Sequence, residues 1–91
     1  MIEIKNGLIN IDRDSLVGVP KYKWAIPALH GPHFRIYLLS DKEKGAVRVR
    51  WYRTGAQIQA QDFLEKEGVI GGKFSTLTRK STISINLDKG L

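Results

Sequence analysis

Arginine, tyrosine and histidine side chains alternate with apolar residues along the segment 33–53. Alternate side chains of a strand point to opposite faces, so the runs 33–39 and 46–53 would each bury an apolar face and expose a polar one. The exposed guanidinium groups could bond phosphates, and the phenol rings could stack on nucleobases. The exposed set comprises His33, Arg35, Tyr37, Arg48, Arg50 and Tyr52.

The two runs are predicted to pair as one β-ribbon with Ser40 opposite Gly45. The apolar pairs would then be Phe34 with Trp51, Ile36 with Val49 and Leu38 with Val47. A shift by one residue would mix the two faces. On the outer face Arg35 would lie opposite Arg50, a like-charge pair that costs stability unless an anion relieves it. The ribbon therefore predicts a surface for a polyanion.

The net charge of +6 is concentrated in the middle of the chain. Residues 21–53 hold eight of the 15 basic residues and two of the nine acidic ones. A localised basic patch steers polyanions, although net charge also serves solubility alone. We therefore expect nine residues to contact single-stranded DNA or RNA: Lys21, Lys23, His33, Arg35, Tyr37, Arg48, Arg50, Tyr52 and Arg53. Arg and Tyr also occur on exposed strand positions without a ligand, which is the structural alternative.

Two other functions fit the same composition. A basic face would also suit an acidic protein partner, as in a small inhibitor or accessory protein of phage or mobile-element type. His30 and His33 flank a Gly-Pro dipeptide and could serve as general base and general acid in metal-independent RNA cleavage. Neither histidine has an Asp or Glu at a spacing typical of a catalytic pair, so the sequence favours a binding protein over an enzyme.

Cofactors, metals and membranes are not indicated. The chain has no cysteine, which excludes disulfides and thiolate metal sites. The histidine pair lacks a third ligand nearby in sequence, and no glycine-rich phosphate loop joins a strand to a helix. No apolar run is long enough to span a bilayer and no signal-peptide pattern opens the chain, so we expect a cytoplasmic protein.

The pattern of apolar residues predicts one domain over residues 1–91, of the mostly β, α+β class. Asn6-Gly7 predicts a type I′ turn in an N-terminal hairpin with four isoleucines on one face. Further strands are expected over 21–26, 34–40, 46–53, 73–78 and 82–87, and a helix over about 55–67. This order resembles an OB-fold with an extra N-terminal hairpin, either a small antiparallel barrel or a strongly bent sheet.

Details of the helix and of the two tryptophans complete the prediction. Thr54 and Gln57 would form a capping box at the start of the helix, and Gly68 would end it in a Schellman motif. Trp24 and Trp51 are both assigned to the core. The edge strands of such a sheet would allow a homodimer.

Overall fold

Eight antiparallel strands close into a barrel in the computed structural model, which describes residues 1–69 and 71–90, with side chains as far as residue 87. This confirms the predicted small α+β barrel. The strands are β1 (Ile2–Lys5), β2 (Leu8–Asp12), β3 (Trp24–His30), β4 (His33–Leu39), β5 (Val47–Tyr52), β6 (Gly55–Gln59), β7 (Gly72–Arg79) and β8 (Thr82–Gly90). Their order around the barrel is β1-β2-β6-β5-β3-β4-β8-β7. A 3₁₀ helix (Arg13–Leu16) follows β2, and helix α1 (Gln61–Lys66) lies between β6 and β7 in sequence.

The N-terminal hairpin forms as predicted. Asn6 and Gly7 take positive φ angles of 54° and 76°, as a type I′ turn requires. The register pairs Ile2 with Ile11 and Ile4 with Ile9, and all four side chains are buried. Each buried isoleucine contributes about 1.5–3 kcal/mol. The hairpin also pairs with β7 and β6, so it forms part of the barrel wall.

A tight hairpin joins β3 and β4 and replaces the predicted ribbon of residues 33–53. Seven residue pairs link the two strands, from Trp24 with Leu39 to His30 with His33. The other edge of β4 pairs with β8, so β3 separates β4 from β5 and the predicted pairing of the latter two is wrong. The alternation itself is confirmed, since the apolar side chains of β4 are buried and packed in the core: Phe34, Ile36 and Leu38.

Pro27 lies within β3, although the prediction ends the strand at residue 26. The N–H of Val49 donates to the carbonyl of Lys23 at 2.8 Å, so β3 directs the backbone groups of its odd-numbered residues toward β5. The two strands share only two residue pairs, both before Pro27. The missing N–H of this proline therefore costs no ladder hydrogen bond.

Residues Gly55–Gln59 form a strand, so the predicted helix over 55–67 is wrong in its first half. Ala56 and Ala60 are both buried, but positions four apart share a face in a strand as well as in a helix. The predicted capping box is also wrong, because the side chain of Gln57 donates to Asn10 at 3.1 Å across the sheet.

Gly55 explains why β6 can lie close to β2. Its φ angle is +152°, and a Cβ atom there would lie 1.9 Å from the carbonyl oxygen of Ile11. Only glycine permits that approach. The strand then places Ile58 in the core opposite Ile9.

The C-terminal end of α1 agrees with the prediction. Gly68 has a φ angle of +72°, and the N–H of Val69 donates to the carbonyl of Leu64 at 2.9 Å, which is the Schellman geometry. Leu64 is buried, and Phe63 packs edge-on against Phe34 with ring centres 5.5 Å apart. The helix is thereby attached to the barrel core. Within the described residues, no helix has the length and apolar character needed to cross a membrane.

Candidate nucleic-acid interface

The outward side chains of four neighbouring strands form two rows across the barrel. The rows are Leu77–Ser84–Arg35–Ala28 and Arg79–Thr82–Tyr37–Ile26, each running from β7 through β8 and β4 to β3. Successive rows lie about 7 Å apart, because two strand residues span that distance. Together with Trp24 and Arg48, which continue the surface toward β5, these residues are called the arginine face.

Trp24 lies on the arginine face, so its assignment to the core is wrong. It pairs with Arg48 on β5 and Leu39 on β4. The chain bends at Lys23, and this bend lets Tyr22 pack against the core while Trp24 points outward. The assignment of Trp51 is confirmed, because it packs against the core and its indole N–H donates to a backbone carbonyl at 2.7 Å.

Two cations lie over the indole ring of Trp24. The ammonium of Lys42 lies 5.2 Å from the ring centre, and the guanidinium carbon of Arg48 lies 5.4 Å from it. Both distances fall within the range of a cation–π contact. This end of the face therefore combines an aromatic ring with two positive charges.

A groove of about 520 Å³ runs along the other end of the arginine face. Its lining consists of Arg35, Tyr37, Leu77, Arg79, Thr82 and Ser84. Leu77 is 65% exposed, so an apolar side chain lies open in this groove. The groove thus offers two guanidinium groups, an aromatic ring and an apolar side chain to one ligand.

No described side chain forms an ion pair with the arginines of this face. Among the described residues, the ion pair joins the N-terminal ammonium, just before β1, to Asp12 at the end of β2, and it involves no arginine. The sequences of β3, β4, β5 and β7 contain no Asp or Glu, and β8 contains one, Asp88, whose side chain is outside those that the structure describes. Arg35 and Arg79 are exposed, so their positive charges are left for an external anion or for solvent.

Arg35 and Arg50 do not face each other. Arg35 pairs with Ala28 on β3, whereas Arg50 pairs with Gln57 on β6. The two positions lie roughly 20 Å apart measured along the strands. The predicted like-charge pair is therefore wrong, and Arg50 is the next outward residue after Arg48 on β5.

The nine predicted contact residues separate into groups. Arg35, Tyr37 and Arg48 belong to the arginine face, and His33 adjoins it at the end of β4 opposite His30. Lys21, Tyr52 and Arg53 line a separate cleft beside the 3₁₀ helix. Lys23 and Arg50 are exposed but line neither the groove nor that cleft.

The residues of the face that the sequence prediction missed include Trp24, Leu77 and Arg79. The position of Leu77 could have been predicted from alternation. Phe74 and Thr76 share the inward face of their strand, so Leu77 must lie on the outward face as an exposed apolar residue. Arg79 was assigned to a turn, although it pairs with Thr82 at the end of the hairpin.

A groove of similar volume lies on the opposite side of the barrel but has mixed charge. It is about 520 Å³ and its charged lining residues include Glu3, Asp12 and Lys73. Such a lining is not complementary to a polyanion. Within the described part of the chain, no cluster of three His, Asp or Glu residues could hold a metal ion.

Comparisons with protein-family models, with curated proteins and with solved structures found no match to this chain. The chemistry of the arginine face is therefore what indicates its ligand.

Proposed function

We propose that this protein binds single-stranded DNA or RNA on the arginine face. The observation that supports this most is a set of arginines without carboxylate partners around the partly exposed rings of Trp24 and Tyr37. Guanidinium groups bond phosphates in a planar, bidentate geometry, and aromatic rings stack on bases of any sequence. Both elements of a single-strand site are thus present on one surface.

The shape of the surface favours a single strand over a duplex. The arginine face lies on the outside of a small closed barrel, where a flexible strand can bend with the surface and a rigid duplex cannot. A flexible strand can follow the rows from Arg48 past Tyr37 to Arg35 and bring successive phosphates near successive arginines. Neutralising these phosphates would release counterions, which makes the affinity depend on salt.

Charge reversal on the face is the direct test of its location. The double variant Arg35→Glu/Arg79→Glu should lose oligonucleotide binding, measured by fluorescence anisotropy at about 50 mM salt. The matched control Lys5→Glu/Lys66→Glu makes the same change in net charge on β1 and α1, away from the face. Equal loss in both variants would show that only net charge matters and would contradict the proposed site.

An acidic protein partner is the second candidate, and the exposure of Leu77 favours it. Protein interfaces combine apolar anchors with arginine, and Leu77 shares one groove with Arg35 and Arg79. Under this alternative the chain is a small accessory protein of phage or mobile-element type. It predicts that oligonucleotides do not bind, and that Leu77→Ser weakens the complex with a purified acidic partner without unfolding the barrel.

Ribonuclease activity through His30 and His33 stays a prediction. The two histidines are directly opposite each other at the tip of the β3–β4 hairpin, and both are exposed. RNA cleavage that disappears in His33→Ala would support this activity. RNA that remains intact after prolonged incubation would contradict this activity and leave the binding function. For that function we propose the cytoplasm as the location.

A further inference from the structure

A second cleft lies beside the 3₁₀ helix, at the far end of β5. It measures about 310 Å³ and is lined by Arg13, Leu16, Val17, Val19, Lys21, Trp51, Tyr52, Arg53 and Gly55, and it is called the Trp51 cleft. This volume is at the lower end of the range for small-molecule sites. It would hold one small ligand rather than a chain segment.

The floor of the Trp51 cleft is apolar and fixed in place. Leu16 and Val19 are buried parts of the core, and the N–H of Val19 donates to the carbonyl of Leu16 at 3.1 Å. The indole of Trp51 is held by its hydrogen bond to the carbonyl of Tyr22. The cleft therefore has a preorganised apolar wall.

The rim of the cleft carries three cations and an exposed aromatic ring. Arg13, Lys21 and Arg53 are all exposed, and none of the described residues forms an ion pair with them. No Asp or Glu is among the described lining residues. Tyr52 is 53% exposed and stands between this cleft and the mixed-charge groove of Glu3 and Asp12, since it lines both, so its ring is open to a planar partner.

We propose that the Trp51 cleft binds a phosphorylated nucleoside. An aromatic base would pack on Tyr52 and the apolar wall, and its phosphate would bond Arg53 and Lys21. Such a ligand could be a free mononucleotide or the phosphorylated end of a nucleic-acid strand. Both present the same chemistry, a planar base with a terminal phosphate.

The Trp51 cleft is separate from the arginine face. Tyr52 lies in one direction from the Trp24–Arg48 pair, along β5. Ala28, the partner of Arg35, lies in the opposite direction, along β3. Tyr52 is four residues from Arg48 along β5, about 13 Å, whereas the groove at Arg35 lies at the other end of the face. The cleft and that groove share no lining residue, so each can be tested by its own variants.

An NMR titration of the intact ¹⁵N-labelled protein tests the proposal. Adding thymidine monophosphate should shift the backbone amides of residues 16–21 and 51–55 with saturation in the millimolar range. Lys21→Glu/Arg53→Glu should weaken binding by about tenfold or more, while Arg35→Glu/Arg79→Glu should leave it unchanged. Tyr52→Ala, an exposed position, should weaken nucleotide binding but not binding of inorganic phosphate.

A 5′-phosphorylated trinucleotide identifies the source of the ligand. Binding by a 5′-phosphorylated trinucleotide but not by the free nucleotide would assign the cleft to a strand end. Comparable binding by both would assign it to nucleotides in general. The proposal is overturned if no nucleotide gives saturable shifts, if the shifts fall on the arginine face, or if inorganic phosphate binds as tightly as the nucleotide.

Discussion

The guanidinium carbon of Arg48 lies 5.4 Å from the centre of the Trp24 indole ring, and these two residues are directly paired between β5 and β3. The two strands share only this pair and the pair Ala25–Val47, so the ladder between them is short. The contact therefore lies on the shortest ladder of the barrel. The same contact supplies a cation and an aromatic ring to the arginine face.

Removal of this contact should cost stability. We expect Trp24→Ala and Arg48→Gln each to lower the free energy of unfolding, with a coupling of about 0.5–1 kcal/mol between them. Urea denaturation of the two single variants and the double variant measures the coupling. Additive effects would show that the cation–π contact contributes nothing to the ladder.

Tyr37 should contribute to nucleic-acid affinity through its ring. The change Tyr37→Ala is expected to weaken oligonucleotide binding by about five- to 150-fold, since stacking on one base is worth about 1–3 kcal/mol. Tyr37→Phe keeps the ring and should retain most of the affinity. Equal weakening in both variants would point to the hydroxyl group and would exclude stacking as the source.

Gly55 should be the glycine least tolerant of a side chain. Gly55→Ala would place a Cβ atom 1.9 Å from the carbonyl oxygen of Ile11, so β6 must move away from β2. We expect a loss of about 2–5 kcal/mol from overpacking and backbone strain together. Gly45→Ala is the control, because Gly45 also has positive φ but no atom within 4 Å of the added methyl group. Thermal unfolding of both variants should separate the two effects.

Asp12 should make the free energy of unfolding depend on pH in the acidic range. The hydrogen bond from the Ser15 hydroxyl, and next the N-terminal ammonium, lower the pKa of the Asp12 carboxyl below its usual value. A lowered folded-state pKa means that this stabilisation is present at neutral pH and is lost as pH falls below about 4. Its size should stay under about 1 kcal/mol, because the side chain is half exposed and screened by solvent.

The variant Asp12→Asn isolates this carboxyl. It should flatten the difference in unfolding free energy between pH 7 and pH 3, measured by urea denaturation. Asp62→Asn is the control, since Asp62 forms no ion pair with any described residue. A pH profile identical to that of the wild type in Asp12→Asn would contradict the assigned role.

Local patterns predicted local structure well. The Asn6-Gly7 turn, the buried isoleucines of the first hairpin and the Schellman end of α1 follow from neighbours in sequence, and the structure contains them. The inward and outward faces of β4 and β5 follow from alternation alone, and their buried residues confirm them.

Strand partners were harder to predict than strand faces. Alternation predicts that the side chains of Arg35 and Arg50 point outward, but it does not predict which strands lie between the two residues. Pro27 predicted the end of a strand. In β3 its missing N–H costs no hydrogen bond, because it faces a part of β5 with which β3 does not pair. The apolar residues before and after Gly31-Pro32 are placed as symmetrically as those of the predicted ribbon. This symmetry would have indicated the correct β3–β4 hairpin.

The ambiguity between helix and strand arose from the spacing of Ala56 and Ala60. Four residues fit both periods, and Ile58 between them decides in favour of a strand because it is buried as well. The rows that bring Arg79 and Leu77 beside Arg35 depend on long-range pairing through β8. No local pattern could have predicted that arrangement of the candidate site.

A salt titration of single-stranded oligonucleotide binding tests the central claim most directly. The logarithm of the binding constant should fall linearly with the logarithm of salt concentration, with a slope near −2 if three phosphates are contacted, at about −0.7 per phosphate. Arg35→Gln should reduce the magnitude of that slope by about 0.7, and Lys5→Gln should leave it unchanged. Absence of binding at about 50 mM salt, or an unchanged slope in Arg35→Gln, would contradict the proposed function of the arginine face.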